Sequence, residues 1–309
     1  MFPAYTTSAL QRQAPARSAA AAPVRLGVGL RFTPALHGFV ARHREAIDYL
    51  CVAPEEPSPG VSRAGGGQRA SIDSATHVLE AIGGNLPWVV RGPALAVGGD
   101  AERDRARLSC LAERTARCDV RWFSAQLVLA AEVAGCARHG AATPSPGDRD
   151  ALKRVVEHVR EVKAPLPVAL LLETGIDARG VPRQDVSEPT LLHRICAATG
   201  CGIALDFDSV LESAIDRGVD PLALLDRVEL ARVVEIRVRA STWEPQPGAF
   251  FAATPCPPST LEVLEAVLWR TPRLRAITVE SGVGVPDARA GDRVLQMIEA
   301  ARAAWNRYD

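Results

Sequence analysis

From Val24 onward, short apolar runs alternate with longer stretches in which apolar residues recur at helical spacing. The short runs are 25–30 (RLGVGL), 48–53 (DYLCVA), 87–91 (PWVVR), 119–123 (DVRWF), 167–173 (PVALLLE), 202–207 (GIALDF), 232–238 (RVVEIRV) and 275–280 (RAITVE). Their length and their content of β-branched and aromatic residues predict strands. Amphipathic patterns predict helices near 35–47, 71–83, 101–116, 125–138, 148–163, 187–199, 219–228, 258–270 and 287–305. The stretch 148–163 is a clear example, with acids early, bases late and apolar residues on one stripe. Strand and helix in this alternation give the order of a (β/α)8 TIM barrel. A doubly wound sheet is the alternative, but no strand runs through GxGxxG into a helix. GVGLRF (27–32) lacks the third glycine and leads into Pro34.

The barrel is expected to occupy residues 24–309 as one domain, with 1–23 as a disordered tail. That tail carries Arg, Ser and Ala without an acid, as transit peptides do, yet lacks both an amphipathic period and the apolar core of a secretory signal. GVSRAGGGQR (60–69) reads as a flexible loop after the second strand.

Composition narrows the function classes. Thirty-six basic and 36 acidic side chains cancel, which argues against nucleic acid as a partner. An apolar fraction of 47% is ample for a core. No segment reaches the ~18–20 apolar residues of a membrane span. The seven cysteines form no CxxC pair and lie mostly in predicted helices or strands. They read as buried reduced thiols, which suits a cytoplasmic protein. There is no P-loop, GxSxG elbow or HExxH, and Glu157-His158 reads as ordinary helix surface.

Chemistry in a TIM barrel sits where the strands end at the C-terminal mouth. Arg31 follows the first predicted strand, Glu55 and Glu56 the second, and Arg91 ends the third. Ser124 and Gln126 follow the fourth, and Glu173 closes the fifth. Asp206 and Asp208 end the sixth, Arg237 and Arg239 the seventh, and Glu280 the eighth. Glu173, Asp206 and Glu280 each terminate an apolar run and are expected to converge. A buried carboxylate requires a metal or a cationic partner.

The blocks VRLGVGLRFTP, DYLCVAPEEP, VVRGPALAVGG, ATPSPGDRDALKRVVEHV, ALLLET, TGCGIALDFDSV, GVDPLALL, VVEIRVRAS and ITVESGVGVP stand in a telling order. Over residues 24–300 that order resembles the DUF692 proteins, the multinuclear non-heme iron-dependent oxidative enzymes of the xylose-isomerase-like barrels. The resemblance implies a barrel that modifies cysteine-containing precursor peptides, with irons held by His, Asp, Glu and Asn at its mouth. Carried over residue by residue, it retains carboxylates and loses imidazoles. Pro34 stands where the first block has His, and Cys51 where the second strand has Glu. Glu55-Glu56 replaces Glu-Asn, and Arg91-Gly92 replaces His-Gly. Ser124-Ala125-Gln126 replaces Ser-Glu-His, Glu173-Thr174 replaces Glu-Asn, and Asp206 is kept with Ser209 in place of Asn. Arg237 replaces the His of the seventh strand, and the Asp-x-His of the next loop is unrecognisable in GAFFAATPC (248–256). Glu280-Ser281-Gly282 replaces Glu-x-Asp.

Histidine suits a site to iron, whereas carboxylates alone suit Mg, Ca or Mn. All six histidines lie in predicted helices or loops, and His37, the one nearest the mouth, reads as helix surface or cap. Arginine stays charged and does not ligate a cation. The expectation is therefore a salt-bridge cluster of Arg91 and Arg237 with Glu173, Asp206 and Glu280, and no cofactor. The matching function is a pseudoenzyme of ribosomal-peptide (RiPP) modification, holding a precursor peptide or a leader-binding protein, with homo-oligomerisation possible. The alternative is a catalytic barrel with one divalent Mg, Mn or Fe on Glu173, Asp206 and Glu280, isomerase-like or oxidative. A third reading has Arg31, Arg91, Arg237 and Arg239 line a pocket for an anionic metabolite or peptide carboxylate.

Overall fold

A computed structural model of the chain describes residues 23–53, 86–92, 95–97, 100–129, 149–174, 188–240, 260–281 and 288–308. Its strands are β1 (Gly27–Phe32), β2 (Leu50–Val52), β3 (Trp88–Arg91), β4 (Leu95–Val97), β5 (Val120–Leu129), β6 (Ala169–Glu173), β7 (Gly202–Asp206), β8 (Val233–Arg239) and β9 (Ala276–Glu280). All pair in parallel. The ladder β3-β2-β1-β9-β8-β7-β6-β5 closes on itself through β3–β5 and forms a closed eight-stranded barrel. Among the described strands, only β4 stands outside it, pairing Leu95–Val97 with the far end of β5, Leu127–Leu129. Each run predicted as a barrel strand is one, so the TIM-barrel expectation holds.

The helices are α1 (His37–Arg42), α2 (Ala101–Arg114), α3 (Arg149–Lys163), α4 (Glu188–Thr199), α5 (Phe207–Arg217), α6 (Pro221–Leu225), α7 (Thr260–Leu268) and α8 (Ala288–Tyr308). In α3, Val155, Val159 and Val162 face the core at helical spacing while Asp150 begins the helix and Arg160 and Lys163 end it. Helix α2 is capped by Asp100, whose carboxylate accepts the Glu102 and Arg103 amides.

Two expectations fail and one helix goes unforeseen. Residues 125–129, read as the start of a helix, continue β5, because Ala125 and its neighbours are held in register against β6. Helix α5 was not predicted, since its apolar residues follow the β7 run without a break. His158 is not helix surface: it is buried between α2 and α3, its Nε2 3.1 Å from Asp104 Oδ2. Residues 1–22, Glu55, Glu56, the expected loop 60–69, the expected helix 71–83 and the segment 248–256 lie outside the described residues.

Apolar side chains divide into two sets. The larger packs between strands and helices; the smaller, within the barrel, comprises Tyr49, Cys51, Val89, Trp122, Leu171, Ala204, Val234 and Ala276. Both faces of each strand are therefore covered, which is why the strands read as nearly continuous apolar runs. Glycine at position 29 makes room inside, since a Cβ there would lie 2.5 Å from the Tyr49 ring. Above this floor, the strand register brings polar residues to matching heights. Arg91 stands opposite Ser124, Gln126 opposite Glu173, Asp206 opposite Arg237 and Arg239 opposite Glu280.

Candidate functional site

The inward-facing ends of these strands carry an alternating series of acids and bases. At its base is Glu235 of β8, wholly buried. Its carboxylate accepts from Trp122 Nε1 at 3.0 Å, Thr278 Oγ1 at 2.7 Å and Arg237 Nε at 2.9 Å. Thr278 in turn shares a 2.6 Å hydrogen bond with the Tyr49 hydroxyl. One step up, Arg237 places Nη1 2.9 Å from Glu173 Oε1 and donates from Nη2 to Ser124 Oγ at 2.6 Å. The Ser124 hydroxyl in turn donates to Glu173 Oε1 at 3.0 Å.

Arg91 meets Glu173 from the other side, with Nη2 2.7 Å from Oε2. Its Nη1 lies 3.7 Å from Glu280 Oε1, and Arg31 Nη1 donates to Glu280 Oε2 at 3.0 Å. The order from barrel interior to rim is thus Glu235, Arg237, Glu173, Arg91, Glu280, Arg31. Burial is deepest at the base and least at the outermost arginine: the side chains of Glu235, Arg237 and Glu173 are 0%, 4% and 4% exposed, those of Arg91, Glu280 and Arg31 26%, 15% and 35%.

Electrostatics follow from this order. Burial pushes the Glu173 carboxyl up, but the guanidiniums of Arg237 and Arg91, with the Ser124 hydroxyl, more than reverse it and hold it at about 2. Burial disfavours the Arg237 charge, and Glu173 and Glu235 outweigh that, so its guanidinium is held well above its ordinary range. Burial disfavours the Arg91 charge as well, and Glu173 outweighs it, so Arg91 is raised in the same sense. Both stay charged at any accessible pH. Beside them, burial and then Glu235 push the Cys51 thiol up to about 12, leaving it an inert thiol.

The expected salt-bridge partners Arg91, Arg237, Glu173 and Glu280 do come together; Asp206 does not join them. Its Oδ1 accepts the Ser209 amide at 3.1 Å and caps α5, while its own amide donates to Thr174 Oγ1 at 2.8 Å. A carboxylate one residue before an unrecognised helix had a local backbone partner that strand reasoning could not supply. Asp208 and Arg239 form a separate pair: Asp208 accepts the Arg239 amide, and Arg239 Nη1 reaches Glu212 at 2.9 Å. Gln126 is half-buried on the inner face of β5, level with Glu173. Glu55 lies outside the described residues.

Sequence reasoning missed Glu235, Trp122, Tyr49 and Thr278. The usable signal was Glu235 at i−2 from Arg237, which on a strand shares its face. His37 is exposed in the first turn of α1. Of the described cysteines, Cys51, Cys196 and Cys201 are buried as expected, whereas Cys110 is exposed on α2.

Among the described residues, the donor set does not fit a metal centre. Both Glu173 oxygens face guanidinium nitrogens, Glu280 lies between Arg31 and Arg91, and Asp206 is turned to a helix terminus. Among the described residues, no group of three or more His, Cys, Asp or Glu side chains is placed to hold an ion. None of their helices is long and apolar enough to cross a membrane.

A closed parallel barrel with its polar groups at the C-terminal mouth places the chain among the TIM-barrel proteins. The D-psicose 3-epimerase of Clostridium cellulolyticum H10, solved with D-tagatose, superimposes with a TM-score of 0.52 at 14% identity, covering 90% of this chain and 99% of that one. A D-allulose 3-epimerase from Methylomonas sp. gives 0.54 at 12% identity, over 94% and 100%. At such identities the likeness speaks for the fold alone. The family is given by sequence: the model described as RiPP precursor modification enzyme MbnB/TglH/ChrH matches residues 25–248, and the chain belongs to that family. A UPF0276 protein of Caulobacter vibrioides (strain NA1000 / CB15N) is 27% identical over 282 residues, 90% of this chain and 93% of its own length. One from Haemophilus influenzae is 28% identical over 214 residues, 69% of this chain and 65% of its own.

Proposed function

We propose that this chain is a non-catalytic member of its family, a cytoplasmic barrel that holds a precursor peptide, or the protein carrying its leader, while an active relative performs the modification. One observation carries the reading: Glu173, the carboxylate deepest in the expected ligand set, is clamped on both oxygens by Arg91 and Arg237. Two guanidiniums supply the double positive charge that a divalent cation would otherwise supply, and they do so without an open coordination position. Binding Mg, Mn or Fe there would require expelling two charged side chains that the surrounding acids hold in place.

Elemental analysis tests this on protein purified anaerobically without added metal, beside Glu173→Ala, with a co-expressed candidate precursor peptide followed by mass spectrometry. The expected result is no stoichiometric metal in either protein, and a peptide that co-purifies at unchanged mass. Near-stoichiometric Mg, Mn or Fe that disappears in Glu173→Ala, or a mass change that depends on this chain alone, overturns the reading in favour of a metal-dependent enzyme.

A further inference from the structure

The six charges of the mouth alternate without interruption, and the series ends at the rim on a cation. Counted from the interior, each acid is contacted by the base above it, and Arg31 has no acid above it among the described residues. Arg31 uses one guanidinium nitrogen on Glu280, and Arg91 offers Glu280 only a contact of 3.7 Å, beyond hydrogen-bond length. A guanidinium carries five N–H donors. Among the described residues, the two outermost guanidiniums, at 35% and 26% exposure, therefore have more donors than acceptors. Arg237 and Arg239 do not share this property: the first is spent on Glu235, Glu173 and Ser124, and the second on Glu212.

We propose that Arg31 and Arg91 form a carboxylate-binding site at the barrel rim, and that the ligand's carboxylate takes the next place in the alternation, sharing the two guanidiniums with Glu280. The proposal rests on the peptide-holding reading and names what is recognised: an acidic side chain or a free C-terminal carboxylate of the bound peptide. A planar carboxylate suits this pair because guanidinium forks present parallel donors to it. Glu280 acts as an internal competitor, occupying Arg31 firmly and Arg91 loosely until a ligand carboxylate arrives. Because both arginines remain partly hydrated, the affinity of this contact alone is modest, and the rest of the peptide supplies the remainder.

The test uses arginine-labelled protein and follows the guanidinium NMR signals of Arg31 and Arg91, assigned through single Arg→Lys variants. Three short probes are titrated: Ac-Ala-Glu-Ala-NH2, Ac-Ala-Gln-Ala-OH and Ac-Ala-Gln-Ala-NH2. Saturable shifts with the first, the second or both support the site and say whether side chain or terminus is read. The neutral probe is expected to leave the signals in place. Arg31→Gln should abolish the response, and Glu280→Gln, which removes the competitor, should tighten it about tenfold. Absence of a saturable shift with either carboxylate probe overturns the proposal, as does an equal response to the neutral one or an unchanged affinity in Glu280→Gln. If Arg31→Gln does not fold, the Glu280→Gln comparison decides. Metal content does not enter, so this site can fail while the non-catalytic reading stands, and the reverse.

Discussion

Replacing Glu173 by Gln removes one charge from a position only 4% exposed and leaves the side chain's shape in place. The consequence can be sized from titration. The Glu173 carboxyl lies at about 2 in the folded chain against 4.5 ordinarily. A folded-state value below the unfolded one means that ionisation favours folding. The stabilisation is complete above the unfolded value and is lost as pH falls from about 4.5 toward 2. A difference of about 2.5 units corresponds to about 3 kcal/mol at neutral pH. Urea unfolding of wild type and Glu173→Gln across a pH series reads this directly, with equal m-values licensing the subtraction. The expected destabilisation is about 3 kcal/mol near pH 7, shrinking steadily below about pH 4.5. Other carboxylates titrate in both proteins and largely cancel in the difference. A difference that stays flat across the series, or is under about 1 kcal/mol at neutral pH, would show that Glu173 is not held by Arg91 and Arg237.

Arg237→Met removes the cation between two buried acids and should cost about 3–5 kcal/mol by denaturant unfolding, because Glu173 and Glu235 lose their shared partner; a cost below ~1 kcal/mol would refute the ladder. Asp206→Ala should cost about 1 kcal/mol through the α5 cap, and Asp206→Asn, which keeps an acceptor for the Ser209 amide, should recover most of it. Equal losses in the two variants would point to a role for the charge itself. Among the described thiols, Cys110 should react first with iodoacetamide in the folded protein and Cys51 only after unfolding, as mass spectrometry of the alkylated peptides will read.

The barrel was legible because each strand needs an apolar outer face against the helices, and that requirement prints a run into the sequence wherever a strand occurs. Val28 and Leu30, Leu50 and Val52, and Ile277 and Val279 are such pairs. What lies between them was harder to read. In 233–239 the letters V-V-E-I-R-V-R put Glu235 and Arg237 on one face, but strict alternation does not also put Val234 inside, where it packs because the pairing with β7 shifts between Ile203 and Ala204. Trp122 and Tyr49 read as ordinary core aromatics, and they are core. Their polar tips nonetheless carry the Trp122 hydrogen bond to Glu235 and the Tyr49 bond to Thr278, since a buried N–H or O–H must find a partner. Asp206 misled for the opposite reason: its strand-end position was real, but a helix began one residue later and claimed its carboxylate.

Buried ion pairs add little net stability over well-packed apolar residues, because desolvation consumes most of the Coulomb gain. The series from Glu235 to Arg31 is therefore poorly explained as a stabilising device, and its geometry is more informative than its energy. Glu235 receives donors from β5, β8 and β9 at once, so the position of Arg237 is set from below by three strands. Arg237 and Ser124 then orient Glu173, which orients Arg91, and the guanidinium at the rim inherits a placement determined deep in the barrel. An apolar core of equal volume would fold as well but would present no charge at a defined point of the mouth. Placement of that kind serves recognition, since a ligand carboxylate meeting pre-oriented guanidiniums loses less side-chain entropy on binding. On this argument, loosening the base should weaken binding at the rim without touching it. Trp122→Phe, which removes one donor from Glu235 and leaves Arg31 and Arg91 intact, should lower affinity for an acidic peptide more than Trp269→Phe, a change at an exposed aromatic outside this network.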